Sequence, residues 1–138
     1  MKLIDFIICD DIRFETSGKN TLIGVYGDMN FTYKKGEAKP ENVIYRMGVF
    51  IRCLIDEKDQ IPDSFQLILI HSKKGALPPI NGTLVSKEGI KLFNIAIVNN
   101  ILLHTEGIIT FKLTFKKMGK EISSLVPDYN LEVNFVEI

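Results

Sequence analysis

The 138 residues contain no tryptophan, only two cysteines, two histidines and five prolines, and no surplus of either charge: seventeen Lys and Arg balance seventeen Asp and Glu. Each scarcity excludes something. Cys9 and Cys53 both sit inside apolar strand patterns, so the chain is no disulfide scaffold and its thiols read as small buried hydrophobes. His71 and His104, distant from each other and from the cysteines, offer no zinc-ligand spacing. Zero net charge removes the field that draws generic nucleic-acid and anionic-membrane binders to their partners, so no nucleic acid is expected. No stretch approaches the roughly 18 consecutive apolar residues of a membrane span. The apolar start is interrupted by Asp5 and lacks a small-residue cleavage site, so no signal peptide is read there and the expectation is a cytoplasmic protein.

What is present is ordinary for a globular chain, with 46% hydrophobic and 25% charged residues, enough to fold residues 1–138 as a single domain without a structural metal. Turn signals recur at intervals of roughly ten to twenty residues between runs rich in Ile, Val, Phe and Thr. The expected fold is all-β, a two-sheet antiparallel sandwich of Ig-like or Greek-key order with about seven to nine strands. A parallel α/β sheet would need a crossover of a dozen or more residues after each strand. Without Trp, the core must be filled by the nine Phe with Ile, Leu and Val. A true antibody-type domain is disfavoured, because no Trp lies between the cysteines and a cytosolic chain argues against the bridge.

Alternation assigns the strands. Leu3 to Cys9 and a short Ile12 to Glu15 segment flank a charged corner, and Gly18-Lys19-Asn20 turns the chain into Thr21 to Tyr26, where Gly24 implies a bulge or a close approach by another backbone. Gly27 to Asn42 reads as a polar loop holding a short edge strand at Phe31 and Tyr33. In Val43 to Ile55 the odd positions face inward, with Arg46 and Arg52 on the other side. Phe65 to His71, apolar on both faces, is central; Leu77 to Gly82, with two prolines, runs along an edge or crosses between sheets. Ile90 to Val98 resumes the pattern. The cleanest alternation follows, with Ile109, Phe111, Leu113 and Phe115 inward and Thr110, Lys112, Thr114 and Lys116 outward. Ser123-Ser124 reads as turn chemistry, and Tyr129 to Ile138 closes the chain with Leu131, Val133 and Phe135 on one face.

The residues Cys9-Asp10-Asp11-Ile12-Arg13-Phe14-Glu15, then Gly18-Lys19, then Leu22-Ile23-Gly24-Val25-Tyr26, resemble the opening of an uncharacterised bacterial and phage-associated family of small β-rich proteins. The specific match covers about 18 residues; beyond it, strand spacing and the Glu106-Gly107 entry into a long amphipathic strand are similar. The resemblance implies a β-sandwich and carries over no activity.

Candidate sites are sparse. Asp10, Asp11, Arg13 and Glu15 lack the ligand order of a calcium loop and read as a structural charge cluster. No nucleophile motif is present, so no catalytic residue, metal or cofactor is assigned and an enzyme is not expected. Lys34-Lys35-Gly36 and Lys73-Lys74-Gly75 lack the strand-to-helix setting of a phosphate cradle. The function read from this pattern is a binding or assembly module that engages a protein partner, or itself, through loops at one end: Tyr33, Lys34, Lys35, Glu37, Leu77, Pro78, Pro79 and Asn81. The alternative is a metabolite or nucleotide bound in a pocket between the sheets or under the Pro78-Pro79 loop.

Overall fold

A computed structural model describes residues 1–85 and 89–138. The chain forms eleven strands: β1 (Lys2–Phe14), β2 (Asn20–Val25), β3 (Asp28–Tyr33), β4 (Val43–Leu54), β5 (Ser64–His71), β6 (Gly75–Ala76), β7 (Ile80–Thr83), β8 (Leu92–His104), β9 (Gly107–Lys117), β10 (Lys120–Leu125) and β11 (Leu131–Glu137). They make a four-stranded sheet, β2-β1-β4-β8, and a seven-stranded sheet built on β3-β11-β9-β5-β6, to which β10 adds beside β9 and β7 beside β5. No helix long and apolar enough to cross a membrane occurs among the described residues. The architecture is the expected two-sheet sandwich, with more strands than seven to nine because short edge pieces such as β6 and β7 pair separately with β5.

One core lies between the sheets. From the four-stranded side it takes Met47, Val49, Ile51 and Cys53 of β4 with Ile95, Ile101 and Leu103 of β8; from the other, Leu67 and Leu69, then Ile109, Phe111, Leu113 and Phe115, then Leu131, Val133 and Phe135. Aromatic rings bridge the layers. Phe6 meets Phe111 at 4.9 Å between centroids, and Phe93 meets Phe115 edge-on at 5.5 Å, contacts that add to plain area burial.

Several local expectations change. β1 is one continuous strand, not two: it pairs with β4 as far as Cys9↔Gly48 and with β2 from Cys9↔Val25 to Phe14↔Asn20. The acidic pair does not break it, because the Asp11 carboxylate accepts the Ile12 amide at 3.0 Å and Asp10 accepts the Tyr26 hydroxyl. Gly24 is neither a bulge nor a backbone crossing. The β1–β2 register is the same on both sides of it, its φ is +66°, and a Cβ there would strike the Asp10 carboxylate. Ser123 and Ser124 lie in β10 rather than in a turn, opposite Phe115 and Thr114. β8 runs on through Asn99 and Asn100 to His104, twelve of its residues paired with β4 and the register shifting once, between Val43 and Ile44.

Thr114, expected outward, is buried. It sits in a cross-strand row between Gln66 of β5 and Ser124 of β10, whose strands shield so short a side chain from both sides. The Phe31–Tyr33 segment is an edge strand as expected, but β3 joins β11 in parallel, from Asp28↔Glu132 to Tyr33↔Glu137.

Candidate functional site

The loop end gathers part of what the sequence grouped. Lys34, Lys35 and Glu37 are exposed in the turn after β3, where Glu37 N–H donates to the Lys34 carbonyl at 3.0 Å, while half-buried Tyr33 packs against the core. Further along this loop Lys39 pairs with Glu106 of the β8–β9 turn; hydrogen bonding from Lys39 holds the Glu106 carboxyl below its ordinary value. Pro78, Pro79 and Asn81 are exposed along the other edge, and Leu77 is buried in the core with its amide donating to Leu69. Leu77 therefore presents no side chain to a partner. Beneath Pro78 a cavity of about 310 Å³ is lined by Ile44, Leu69, Ile80, Ile101 and Leu102 among others.

The histidines are framework. His71 Nδ1 accepts the Lys73 and Lys74 amides at 3.0 and 3.2 Å, which requires that Nε2 carry the proton and donate to the Thr105 carbonyl at 2.9 Å. The ring thereby ties the turn after β5 to the turn after β8. Gly107 enters this knot with φ +152°, and a Cβ there would lie 2.7 Å from His71 Cε1 and Ser72 Oγ. His104 stands edge-on to His71, 6.2 Å between centroids. Among the described residues no group of three or more His, Cys, Asp or Glu is arranged to hold a metal ion.

The charged corner is dispersed rather than networked. Asp10 takes Tyr26, Asp11 lies 3.8 Å from Arg46 across on β4, and Glu15 accepts Thr21 Oγ1 at 3.1 Å. Arg13, exposed on the outer part of β1, joins none of these pairs. Both thiols are buried and free. Burial pushes the Cys53 thiol up to about 12 and raises that of Cys9 as well.

The outer face of the four-stranded sheet is built from the alternate residues of its strands. Because Met47, Val49, Ile51 and Cys53 point into the core, the alternate residues of β4 point away from it, and the register assembles them into cross-strand rows. Arg46 stands with Asn100, Gly48 with Cys9 and Val98, Phe50 with Ile7 and Ala96, and Arg52 with Asp5 and Asn94. Ile44 and Leu102 cap one end and Leu54 and Leu92 the other. Cys9 and Ile12 are buried yet stand outside the central core; they close over Gly48, where a Cβ would come within 2.9 Å of the Cys9 sulfur and 2.8 Å of Ile12 Cγ1. Glycine at this position keeps the face flat.

The middle of that face is apolar and is flanked by two ion pairs, Asp5 with Arg52 and Asp11 with Arg46. By contrast, the outer face of the seven-stranded sheet interleaves Ile68, Ile70 and Ile108 with Gln66, Thr110, Lys112, Glu132 and Asn134. Ile44, 65% exposed, and Val25, 63% exposed on neighbouring β2, extend the apolar surface of the four-stranded sheet. In the sequence this surface is masked because Arg46 and Arg52 give the outward side of β4 a polar appearance. The signal was available in Leu3–Cys9, where Ile4, Phe6, Ile7 and Ile8 put apolar residues on both faces of one strand. No protein-family model matches this sequence, and no curated protein does.

Proposed function

We propose that this chain is a non-enzymatic binding or assembly module whose contact surface is the outer face of the four-stranded sheet. The observation that carries the reading is the Ile7–Phe50–Ala96 row with Val98 beside it, an apolar strip on a face that water would otherwise cover. The lack of catalysis is part of the same proposal: His71 spends both ring nitrogens on backbone groups and keeps none for proton transfer. The loop end around Lys34–Glu37 takes second place, since its charges are solvated and Lys39 is already paired. Buried free thiols accord with a reducing cytoplasm. The chain's passages between sheets, at β2–β3, β3–β4, β4–β5, β7–β8 and β8–β9, support a Greek-key order. The Cys9–Tyr26 opening supports membership of the β-rich family it resembles.

Photocrosslinking in the host tests the contact surface. A benzoylphenylalanine at position 50 should yield discrete adducts, and the same residue at position 112, on the other sheet, should not. Adducts that are absent from both, or equal at both, would remove the face from the account.

The cavity under Pro78 supports a second reading, a small apolar ligand, because about 310 Å³ with mostly aliphatic walls suits a compact molecule. Native mass spectrometry of protein from its own host would show a bound small molecule if this is so; a clean apo mass would dismiss it.

A further inference from the structure

We infer that the outer face of the four-stranded sheet is closed by a second copy of this chain, packed face to face about a twofold axis that runs along the strands between β1 and β4. The inference rests on the reading of that face as a contact surface and adds the identity of what covers it. In the order β2-β1-β4-β8 the gap between β1 and β4 is the centre of the sheet, so an axis there sets β1 against β4 and β2 against part of β8. It also exchanges β1 with β4. Ile7 then lies on Phe50 of the second copy and Phe50 on its Ile7, which makes the apolar centre self-complementary.

The same operation settles the charges. Asp5 and Arg52 occupy one row on β1 and β4; exchanging the strands sets Asp5 against Arg52 of the second copy and Arg52 against its Asp5. Asp11 and Arg46 flank the other side of the apolar centre and are exchanged likewise. Within one chain they lie 3.8 Å apart with side chains 45% and 65% exposed, so they retain capacity for a partner across the interface. An axis perpendicular to the strands would instead stack Arg46 on Arg52 and Asp11 on Asp5. Complementarity thus selects one geometry.

The size is sufficient. With the six residues of β2 facing only part of β8, and at about 3.3 Å per residue along a strand and about 4.8 Å between strands, the overlapping strands present about 570 Å² per copy, or about 1,100 Å² in the pair. That clears the roughly 1,000 Å² expected of a biological interface. Two sheets packed in this way keep their strands within about 30° of each other, as in an ordinary sandwich core.

Sedimentation velocity on the full chain, from roughly 1 to 100 µM, tests the proposal in the usual range of such assemblies. The wild-type protein should sediment at twice the 15.7 kDa of one chain. Phe50→Lys should dissociate it with circular dichroism unchanged. Arg46→Asp should raise Kd at least about tenfold, while Asp11→Arg combined with Arg46→Asp should recover most of the loss, because the swap restores opposite charges across the axis. A wild-type protein that stays at 15.7 kDa throughout, or a dimer that folded Phe50→Lys leaves intact, overturns the second copy. If that monomer still forms Phe50-dependent crosslinks to another protein, only the identity of the occupant fails. If it forms none, the contact surface fails too.

Discussion

Phe111 and Lys112 are adjacent in sequence and opposite in consequence. Phe111 is buried against Phe6 and stacks on Tyr129 at 6.2 Å, whereas Lys112 points to water from the far side of the same sheet. Phe111→Ala should cost about 3–5 kcal/mol, a large share of the roughly 5–15 kcal/mol that holds such a domain together, and Lys112→Ala less than about 0.5 kcal/mol. Denaturant titration of the two variants measures the contrast, and equal small losses would refute the assigned faces. The thiols give a second test at this scale. With its thiol pushed up to about 12 by burial, Cys53 carries almost no thiolate at pH 8, and Cys9 is shifted in the same direction. Neither should react with a disulfide reagent at pH 8 until the protein is unfolded, when both should. Rapid labelling of the native protein would show that the core around Cys53 opens.

At the scale of elements, legibility followed burial asymmetry. β9 and β11 read correctly because one face of each meets the core and the other meets water, so alternation in the sequence is alternation in space; Thr114 escaped because neighbouring strands, not the core, cover it. β1 reads as two pieces because adjacent carboxylates look like a break, and nothing in their spacing reveals that Tyr26 and the Ile12 amide donate to them. The serines of β10 misled for a related reason: a short edge strand tolerates residues that elsewhere mark turns. The β8–β9 turn offers a sharp test. Gly107→Ala would place a methyl group against His71 and Ser72 on a backbone of positive φ, and should cost about 1–3 kcal/mol in a thermal or denaturant melt. A neutral outcome would mean that the His71 knot yields easily. The Lys39–Glu106 pair across the same turn is exposed and should act weakly. Because Glu106 is depressed below 4.5, its contribution is present above that value and fades as the pH falls through the folded value, so Lys39→Ala should differ from wild type at pH 7 and converge with it in acid.

For the molecule as a whole, the two sheets differ in their outer faces: one centres on Ile7, Phe50 and Ala96, the other interleaves Ile68, Ile70 and Ile108 with polar residues. The sequence announced the sandwich through its turns and strand periods, but the character of a face is a property of register. Ile7, Phe50 and Ala96 are remote in the chain and become neighbours only once β1, β4 and β8 are aligned. The parallel pairing of β3 with β11 extends that remoteness to the folding process itself. Asn30 and Asn134, bonded across this pair, are separated by 104 positions. At about 5–20 residues per second of synthesis, β3 leaves the ribosome roughly 5–20 s before the strand that will cover it. During that interval Met29, buried in the finished protein, has no permanent neighbour on that side, and the edge of β3 is open to any other nascent strand. Fidelity of assembly is therefore a race between elongation and mispairing of β3.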